Sequence, residues 1–388
     1  MKKYYFVSFA LIGVLFWLYT LKSNDIVGKQ IVLGQSCALS GPAAQLGRQM
    51  MKGATACFSF INGQGGVHGR TIRLITYDDF YEPDYARKNT IELITRQHVF
   101  AMFGEVGTPT SKAALPEAQK YHVPFLMPFT GAEFLRNPPS PLIVNLRNSY
   151  YAETEALVEY LRLTYHIDKI AVFYQNDSYG KAGREGVRRA LEKRGLKIAA
   201  EGRYRRNTLS YRNALQTIKL SEPEAVIMIG AYKPCTEFIK SAKKSGMDAT
   251  VFCNISFVGS DDLIRALEGQ TENVLISQVV PLPWDNKNEA AQEYRKIYKA
   301  YYPDDPYGFV SFEGFLAAKL VVKALEKAGQ DLTRKNFMAA FEQLDRKALD
   351  GFEITIAPDD RQALERVFIT NYHDGNFQQL EEVWVTND

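Results

Sequence analysis

The 388-residue chain is long enough for two domains, each with a hydrophobic core of its own. Hydrophobic residues make up 46% of it and charged residues 23%, which is ordinary for a soluble globular protein. The net charge of +3 is small for this length, and basic residues alternate with acidic ones, so nothing indicates a nucleic-acid surface.

The first 28 residues carry a membrane-targeting pattern. Lys2 and Lys3 precede an apolar run over residues 4–21, which reaches the lower limit of length for crossing a bilayer, roughly 17 to 25 residues. Residues 20–23 form a poor cleavage site because they lack suitable small side chains, and the two lysines would stay in the cytoplasm. Residues 1–28 are therefore expected to be a signal peptide or an uncleaved inner-membrane anchor, which places the remaining chain outside the cytoplasm.

The exported part alternates short apolar runs with helical patterns, which predicts an α/β fold with parallel sheets and crossover helices. The first series of strands is predicted near residues 31–37, 72–79, 99–103 and 123–127. A second series follows a helix near Tyr150, with strands predicted over residues 169–174, 196–200, 225–230, 251–255 and 274–280. Residues 281–284 break the pattern, two long helices follow at 289–302 and 311–329, and the tail predicts strands around a turn at 373–376.

The four cysteines do not indicate a metal site. Cys37, Cys57, Cys235 and Cys253 form no Cys-x-x-Cys pair, and no histidine lies at metal-ligand spacing. Cys37 falls in an apolar strand and Cys57 on the apolar side of a helix, so buried free thiols are expected. Export would permit a disulfide, but the spacing specifies none.

Nucleotide binding and catalysis are both disfavoured by context. The glycine-rich segment at residues 63–69 follows a helix and opens a strand, whereas a dinucleotide-binding loop follows a strand and opens a helix. His68 also stands at the third glycine position of that motif, so the segment predicts a turn. The histidines lie in turns or at helix ends, and no nucleophile, base and acid combine into a catalytic set. We expect neither enzymatic activity nor a cofactor.

Two pairs of acidic residues have ordinary structural explanations. Asp78 and Asp79 end a predicted strand, where paired carboxylates usually form a solvated turn or a cap. Glu153 and Glu155 fall in the first turn of a predicted helix, where negative charge complements the helix dipole. Neither pair predicts catalysis.

Polar or aromatic residues follow five of the predicted strands. In chain order they are Glu105 with Thr108, Thr130 with Gly131, Tyr179, Tyr232, and Ser256. Ligands of open α/β sheets bind at the carboxyl edge of the strands. Hydroxyls and backbone N–H groups at a helix start suit an anionic oxygen, and tyrosines supply apolar walls with a hydrogen-bonding tip. Each residue alone would be an ordinary cap or loop aromatic, but their recurrence at one edge predicts a binding cleft.

Several longer segments occur in a definite order. They are S-G-P-A-A-Q-L-G (40–47), I-N-G-Q-G-G-V-H-G-R (61–70), V-P-F-L-M-P-F-T-G-A (123–132), I-A-V-F-Y-Q-N-D-S-Y-G (170–180) and F-E-G-F-L-A-A (312–318). With these segments the chain resembles the type I periplasmic solute-binding proteins, in the branch of leucine/isoleucine/valine-binding proteins that serve ABC transporters. The resemblance covers residues 29 to about 384.

The resemblance implies a Venus-flytrap architecture of two doubly wound α/β lobes joined by three crossings. Residues 29–147 plus 283–350 would form the first lobe, and residues 148–282 plus 351–388 the second. The crossings are expected near residues 145–150, 280–284 and 350–352.

The resemblance also implies a ligand site. In relatives that bind amino acids, a hydroxyl after the fourth strand and the backbone of the next loop hold the ligand carboxylate. Those positions match Thr108, Thr130 and Gly131, and the second-lobe aromatic residues of the family match Tyr179 and Tyr232.

The chain departs from the family pattern at several positions. The acidic residue that pairs with the ligand's ammonium group falls at Ser256, and the tyrosine wall of the first loop falls at Leu46. The usual first-lobe disulfide falls at Tyr81 and Gly107, so that bridge is missing. Because Ser256 is uncharged, the expected ligands are carboxylates, amides or aromatic compounds without a free α-ammonium. Glu105 or Glu313 could still compensate for the missing charge.

The expected function is extracytoplasmic capture of a small organic or amino-acid-like solute for the permease of an ABC importer. The alternative is a subunit that presents its ligand state to a membrane receptor or kinase. No metal and no nucleic-acid partner is expected.

Overall fold

The computed structural model describes residues 29–384, and the predicted signal peptide or anchor at residues 1–28 lies outside them. The first sheet has five parallel strands in the order β2-β1-β3-β4-β5. Its elements are β1 (Gln30–Cys37), α1 (Ala44–Gly63), β2 (Thr71–Asp78), α2 (Pro83–Thr95), β3 (Ala101–Phe103), α3 (Thr108–Lys120), β4 (Phe125–Leu126) and β5 (Ile143–Val144).

The second sheet has seven strands in the order β12-β11-β10-β9-β8-β6-β7. Its first part comprises α4 (Tyr150–Tyr165), β6 (Ile170–Gln175), α5 (Ser178–Glu192), β7 (Glu201–Tyr204), α6 (Arg212–Leu220), β8 (Ala225–Ile229), α7 (Tyr232–Lys244), β9 (Val251–Asn254), α8 (Ser260–Leu267) and β10 (Val274–Gln278). Three helices follow, α9 (Glu289–Tyr301), α10 (Phe309–Ala328) and α11 (Arg334–Phe341), and then β11 (Arg366–His373) and β12 (Asn376–Trp384). Strands β6 to β10 are parallel, whereas β11 is antiparallel to both of its neighbours.

Helix α10 returns the chain to the first sheet, where it packs against α1. A side chain at Gly53 would place its Cβ 1.9 Å from the carbonyl oxygen of Ser311, and one at Gly314 would come within 2.3 Å of the carbonyl oxygen of Met50. Each helix therefore offers a glycine to the backbone of the other. This close approach buries α10 along most of its length.

Two connections between the sheets run side by side. The backbone N–H of Asn145 donates to the carbonyl of Arg361 at 2.7 Å, and the N–H of Ala363 donates back to Asn145 at 2.9 Å. The N–H of Leu364 donates to the carbonyl of Leu146 at 3.0 Å. The segment that follows β5 is thus tied by backbone hydrogen bonds to the segment that leads into β11.

Most of the local predictions agree with the structure, and one strand is displaced. The glycine-rich segment is a turn between α1 and β2, the tail forms an antiparallel hairpin, and all four cysteines are free and buried. The strand predicted at residues 196–200 lies instead at Glu201–Tyr204. This strand is at the edge of its sheet, where outward side chains such as Glu201 and Arg203 need not be apolar, so the apolar run marks only its approach.

Candidate functional site

The carboxyl edges of the two sheets face each other, and three hydroxyls meet between them. Thr108 follows β3, Thr130 follows β4, and Tyr150 begins α4. The hydroxyls of Thr108 and Thr130 are 2.7 Å apart, and that of Tyr150 lies 3.1 Å from Thr130 and 3.5 Å from Thr108. All three side chains are buried, and we call them the hydroxyl cluster.

Gly131 positions the tyrosine of this cluster. Its carbonyl accepts a 2.7 Å hydrogen bond from the backbone N–H of Tyr150. A Cβ at residue 131 would lie 2.6 Å from that same nitrogen, so only glycine allows the loop after β4 to approach the start of α4 this closely.

An aromatic cluster of five rings lies beside the hydroxyls and draws on both sheets. Its members are Tyr81, Phe129, Tyr150, Tyr179 and Phe257, all fully buried. The ring of Phe257 is central, with centroids 4.5 Å from Tyr179, 5.5 Å from Phe129 and 6.2 Å from Tyr81. Tyr150 contacts Tyr179 at 5.4 Å. Rings from the loops of both sheets thus share one packed interior.

A buried ionic network completes the interface. Arg147 forms a two-point ion pair with Glu313 at 2.8 and 2.9 Å and donates to the hydroxyl of Ser256 at 3.0 Å. The carboxylate of Glu153 accepts from the backbone and hydroxyl of Ser256 at 2.8 and 3.0 Å and from the hydroxyl of Ser277 at 2.6 Å. Arg147, which lies between the sheets, therefore connects Glu313 of α10 with Ser256 in the loop after β9, and Ser256 in turn contacts Glu153 of α4.

Opposing effects set the charges of this network. Burial alone would lower the pKa of Arg147, but the carboxylates of Glu313 and Glu153 outweigh this effect and raise it. Burial raises the pKa of Glu153 and of Glu313, and Arg147 opposes both shifts. The hydrogen-bond donors on each carboxylate stabilise its ionised form further.

The structure corrects one expectation about the acidic pairs and adds a contact to the other. Asp79 is not a solvated turn residue: it is buried, and it accepts from the hydroxyl of Ser36 at 3.0 Å and the N–H of Tyr81 at 2.8 Å. Glu153 sits in the first turn of α4 as expected, yet its carboxylate extends to the loop after β9 instead of to solvent. The sequence shows that an acidic residue lies at a strand end or a helix start, but it does not show which residues will donate hydrogen bonds to its carboxylate.

Glu105 has no hydrogen-bond partner for either carboxylate oxygen among residues 29–384, although it is fully buried. Burial raises its pKa well above the ordinary value, and the nearby charge of Asp79 adds to the shift. Burial therefore favours the neutral form of this carboxyl group.

The remaining predicted residues lie at different distances from these clusters. Leu46, in the first turn of α1, reaches across to the second sheet, where its Cδ2 would lie 3.1 Å from a Cβ at Gly259. Tyr232 begins α7, is half-buried and packs on the core of the second sheet. No ring contact or hydrogen bond in the described part of the chain joins it to either cluster.

The two positions of the missing disulfide are in direct contact. Gly107 has φ +107°, and a Cβ there would lie 2.2 Å from Cε2 of Tyr81. The tyrosine ring thus packs over a glycine at the place where the resemblance implies a bridge.

A cavity of about 190 Å³ lies between loops of the two sheets, beside the aromatic cluster. The first sheet contributes Pro42, Ala43 and Tyr81 to its lining, and the second contributes Tyr204 and Ala231 among others. The Tyr204 hydroxyl accepts from the N–H of Ala231 at 3.0 Å, which fixes the ring in the cavity wall. We call this space the interlobe cavity.

The sequence interpretation missed Arg147 and Phe257 as residues of the interface. Arg147 stands in an otherwise uncharged segment at a predicted crossing, and a lone arginine there was the available signal for a buried partner. Phe257 directly follows Ser256, but a phenylalanine beside a predicted site residue is no different in sequence from one in an ordinary core.

The profile of the family described as periplasmic binding protein matches residues 30–376. The chain belongs to this family. A possible leucine/isoleucine/valine-binding protein from Rhodopirellula baltica has a similar crystal structure, with a TM-score of 0.86 and 36% identity over 91% of this chain and 96% of that one. The leucine-, isoleucine-, valine-, threonine- and alanine-binding protein of Pseudomonas aeruginosa is 22% identical over 79% of this chain and 81% of its own length.

A second solved structure shows how far the fold extends. The fatty acid ABC transporter substrate-binding protein from Thermomonospora curvata has a TM-score of 0.84 at 22% identity, over 94% of both chains. Family membership confirms the prediction of a two-lobed α/β binding fold and makes this periplasmic binding protein an extracytoplasmic solute-binding protein, not an enzyme. No helix within residues 29–384 is long and apolar enough to cross a membrane.

Proposed function

We propose that this periplasmic binding protein captures a small organic solute between its two lobes and delivers it to the permease of an ABC importer. The supporting observation is that loops from the carboxyl edges of both sheets share buried clusters of hydroxyls, aromatic rings and charges. An interface with hydrogen-bonding groups and rings on both sides is suited to enclose a solute and expose it again when the lobes part.

The lobes proposed are residues 29–147 plus 283–350 and residues 148–282 plus 351–388. The packing of α10 on α1 supports the assignment of the later helices to the first lobe, and the pairing of β11 with β10 supports the assignment of the tail to the second. The paired segments at 145–146 and 361–364 are candidates for hinge strands, because both run between the sheets.

In this proposal the polar head of the solute lies at the hydroxyl cluster and its apolar part extends toward the interlobe cavity. Tyr81 supports this arrangement because its ring belongs to the aromatic cluster and also lines the cavity. Tyr179 supplies a wall from the second lobe.

The test begins with mass spectrometry of the solute that co-purifies with the native protein, followed by calorimetry on protein freed of it. Thr130→Val, which replaces one hydroxyl of the cluster by a methyl, is expected to weaken binding about tenfold, as loss of a buried hydrogen bond typically does. The matched control is Thr95→Val, at an exposed threonine of α2, which should bind as wild type does. Equal affinity of wild type and Thr130→Val would contradict the proposed site.

We further propose that residues 1–28 remain as an anchor in the inner membrane. The poor cleavage site at residues 20–23 supports this. Membrane fractionation with N-terminal sequencing is expected to find the intact N-terminus in the membrane fraction. A soluble form that begins near Asn24 would show cleavage instead.

A further inference from the structure

The ionic network leaves few acceptors free for a positively charged ligand. Both oxygens of Glu313 accept from Arg147, and both oxygens of Glu153 accept from Ser256 or Ser277. Arg147 also donates a hydrogen bond to the hydroxyl of Ser256, which itself donates to Glu153. A fixed cation therefore already lies at the residue where the resemblance places the ammonium-pairing acid.

Donors, in contrast, remain unused. The side chain of Arg147 is 1% exposed, and its Nη1 has no hydrogen-bond partner within residues 29–384. An arginine stays protonated in a protein, so this nitrogen always offers its hydrogens. The guanidinium carbon lies 4.1 Å from the centre of the Phe129 ring, which holds the group in place by cation–π contact.

The hydroxyl cluster adds a further donor. Three hydroxyls carry three protons, and if Thr108 donates to Thr130 and Thr130 to Tyr150, the phenolic proton of Tyr150 has no acceptor within the cluster. Arg147 and Tyr150 are close enough for the arginine to lower the phenol's pKa, although burial raises that pKa overall. The two unused donors therefore belong to one region of the interface.

We propose that Arg147 is the specificity-determining residue of the site, selecting solutes whose polar head is an oxygen acceptor, a carboxylate or amide carbonyl, and rejecting those that carry a free ammonium. This inference rests on the proposed function, since it names the class of solute that the closing lobes enclose. Glu313 and Ser256 orient the guanidinium, and Nη1 with the Tyr150 hydroxyl meets the acceptor. An ammonium would be placed beside a fixed positive charge, and the two carboxylates of the network, Glu313 and Glu153, already accept hydrogen bonds on both oxygens.

The inference is tested with ligand pairs that share a carbon skeleton. Leucine is compared with 4-methylpentanoate and its amide, and phenylalanine with 3-phenylpropanoate and its amide, by calorimetry on solute-free protein. At least one acceptor-headed compound is expected to bind tenfold or more tightly than its amino acid. Tighter binding of the amino acid in both pairs, or no binding of any acceptor-headed compound, would overturn the inference.

Variants then assign the preference to Arg147. Arg147→Lys keeps the charge but loses the planar fork, and it is expected to reduce affinity for the preferred compound at least tenfold. The control is Arg334→Lys, at a half-buried arginine of α11 that donates to the backbone carbonyls of Val99 and Phe100 just before β3, and it should preserve the preference between paired ligands. An unchanged preference in Arg147→Lys would contradict the assignment.

A double variant covers the possibility that Arg147→Lys fails to fold. Arg147→Met with Glu313→Leu removes the ion pair as a whole. The remaining carboxylate of the network, Glu153, keeps its hydrogen bonds from Ser256 and Ser277. The double variant is expected to bind the carboxylate and the corresponding alcohol with equal affinity, whereas wild type binds the carboxylate more tightly. A remaining difference in affinity would contradict the role of Arg147.

Should no acceptor-headed compound bind while the protein still closes on its co-purified solute, this inference fails and the proposed function stands. If no solute of any kind binds, the proposed function fails.

Discussion

Asp79 gives the folded protein a pH dependence that its sequence position conceals. Burial raises its pKa from 3.8 to about 7, against the hydrogen bonds from Tyr81 and Ser36. A carboxyl with a higher pKa in the folded protein binds its proton more tightly there than in the unfolded chain. Its contribution to the free energy of unfolding therefore falls as the pH rises from about 4 to about 7.

Asp79→Asn should remove this slope while keeping both hydrogen bonds. Between pH 5 and pH 8 the free energy of unfolding of wild type is expected to fall, relative to the variant, by on the order of 2 kcal/mol. Asp78→Asn is the control: several hydrogen bonds lower the pKa of Asp78 despite partial burial, so its titration lies below this range. Chemical denaturation at several pH values measures both, and parallel profiles for wild type and Asp79→Asn would refute the account.

Gly107 combines backbone strain with a lack of space. Gly107→Ala would force an L-residue to φ +107° and place its Cβ 2.2 Å from the Tyr81 ring. Gly195→Ala is the matched control, because Gly195 also has a positive φ (+71°) but no atom within 4 Å of its Cβ position. We expect a cost of about 1 kcal/mol at Gly195 and a further 1 to 3 kcal/mol at Gly107. Equal denaturation midpoints for the two variants would show that Tyr81 yields without strain.

For single residues, the sequence predicted their places in the fold better than it predicted the residues that they contact. Thr108 and Thr130 could be placed at one sheet edge because strand ends are visible in the pattern, and the structure brings their hydroxyls within 2.7 Å. Their role in binding stays a prediction. The pairing of Arg147 with Glu313 joins residues 166 positions apart, and no local periodicity encodes such a contact.

Among the elements, the loops after β2 and β7 form a polar bridge between the two lobes. Arg206 donates to Glu82 at 2.6 Å, and Asn207 donates to the other oxygen of Glu82 at 2.8 Å. Arg206 also donates to Asp177, the residue that caps helix α5, at 3.1 Å. In the proposed closure of the lobes the contact to Glu82 would form only when they come together, so we expect it to stabilise the closed form.

Glu82→Gln is expected to weaken solute binding about two- to fivefold, since a partly exposed ion pair contributes roughly 0.5 to 1 kcal/mol. The control is Glu201→Gln, which removes the ion pair between β7 and Arg184 of helix α5, at a similar exposure of 34% against 40%. Titrations should show the loss only in Glu82→Gln, and the loss should shrink at high salt. An identical effect of both substitutions would show that the bridge does not act on closure.

The elements that the sequence failed to place share a physical cause. Strand β5 spans only Ile143–Val144, too short for any periodicity to appear. Strand β7 is an edge strand, with one neighbour and one side open to solvent, so apolar patterning was a poor guide to it. Buried central strands such as β6 and β8 are continuous apolar runs, and the sequence revealed both.

For the whole molecule, order and spacing of motifs carried more information than any single residue. The two series of strands predicted two lobes, and family membership confirms that architecture. The strand pattern could not show that α10 packs on α1, because the reciprocal glycine contacts at Gly53 and Gly314 depend on two helices more than 200 residues apart. Only the family resemblance placed residues 283–350 in the first lobe. The interface between the lobes depends in the same way on distant contacts.

Small-angle X-ray scattering of the solute-free protein, with and without its co-purified solute, tests the central claim that the lobes close around a ligand. Saturation with the solute is expected to reduce the radius of gyration toward about 21 Å, the value for a compact chain of this length, with no change in circular dichroism. A scattering profile that stays the same at saturation, with binding verified by calorimetry, would contradict closure.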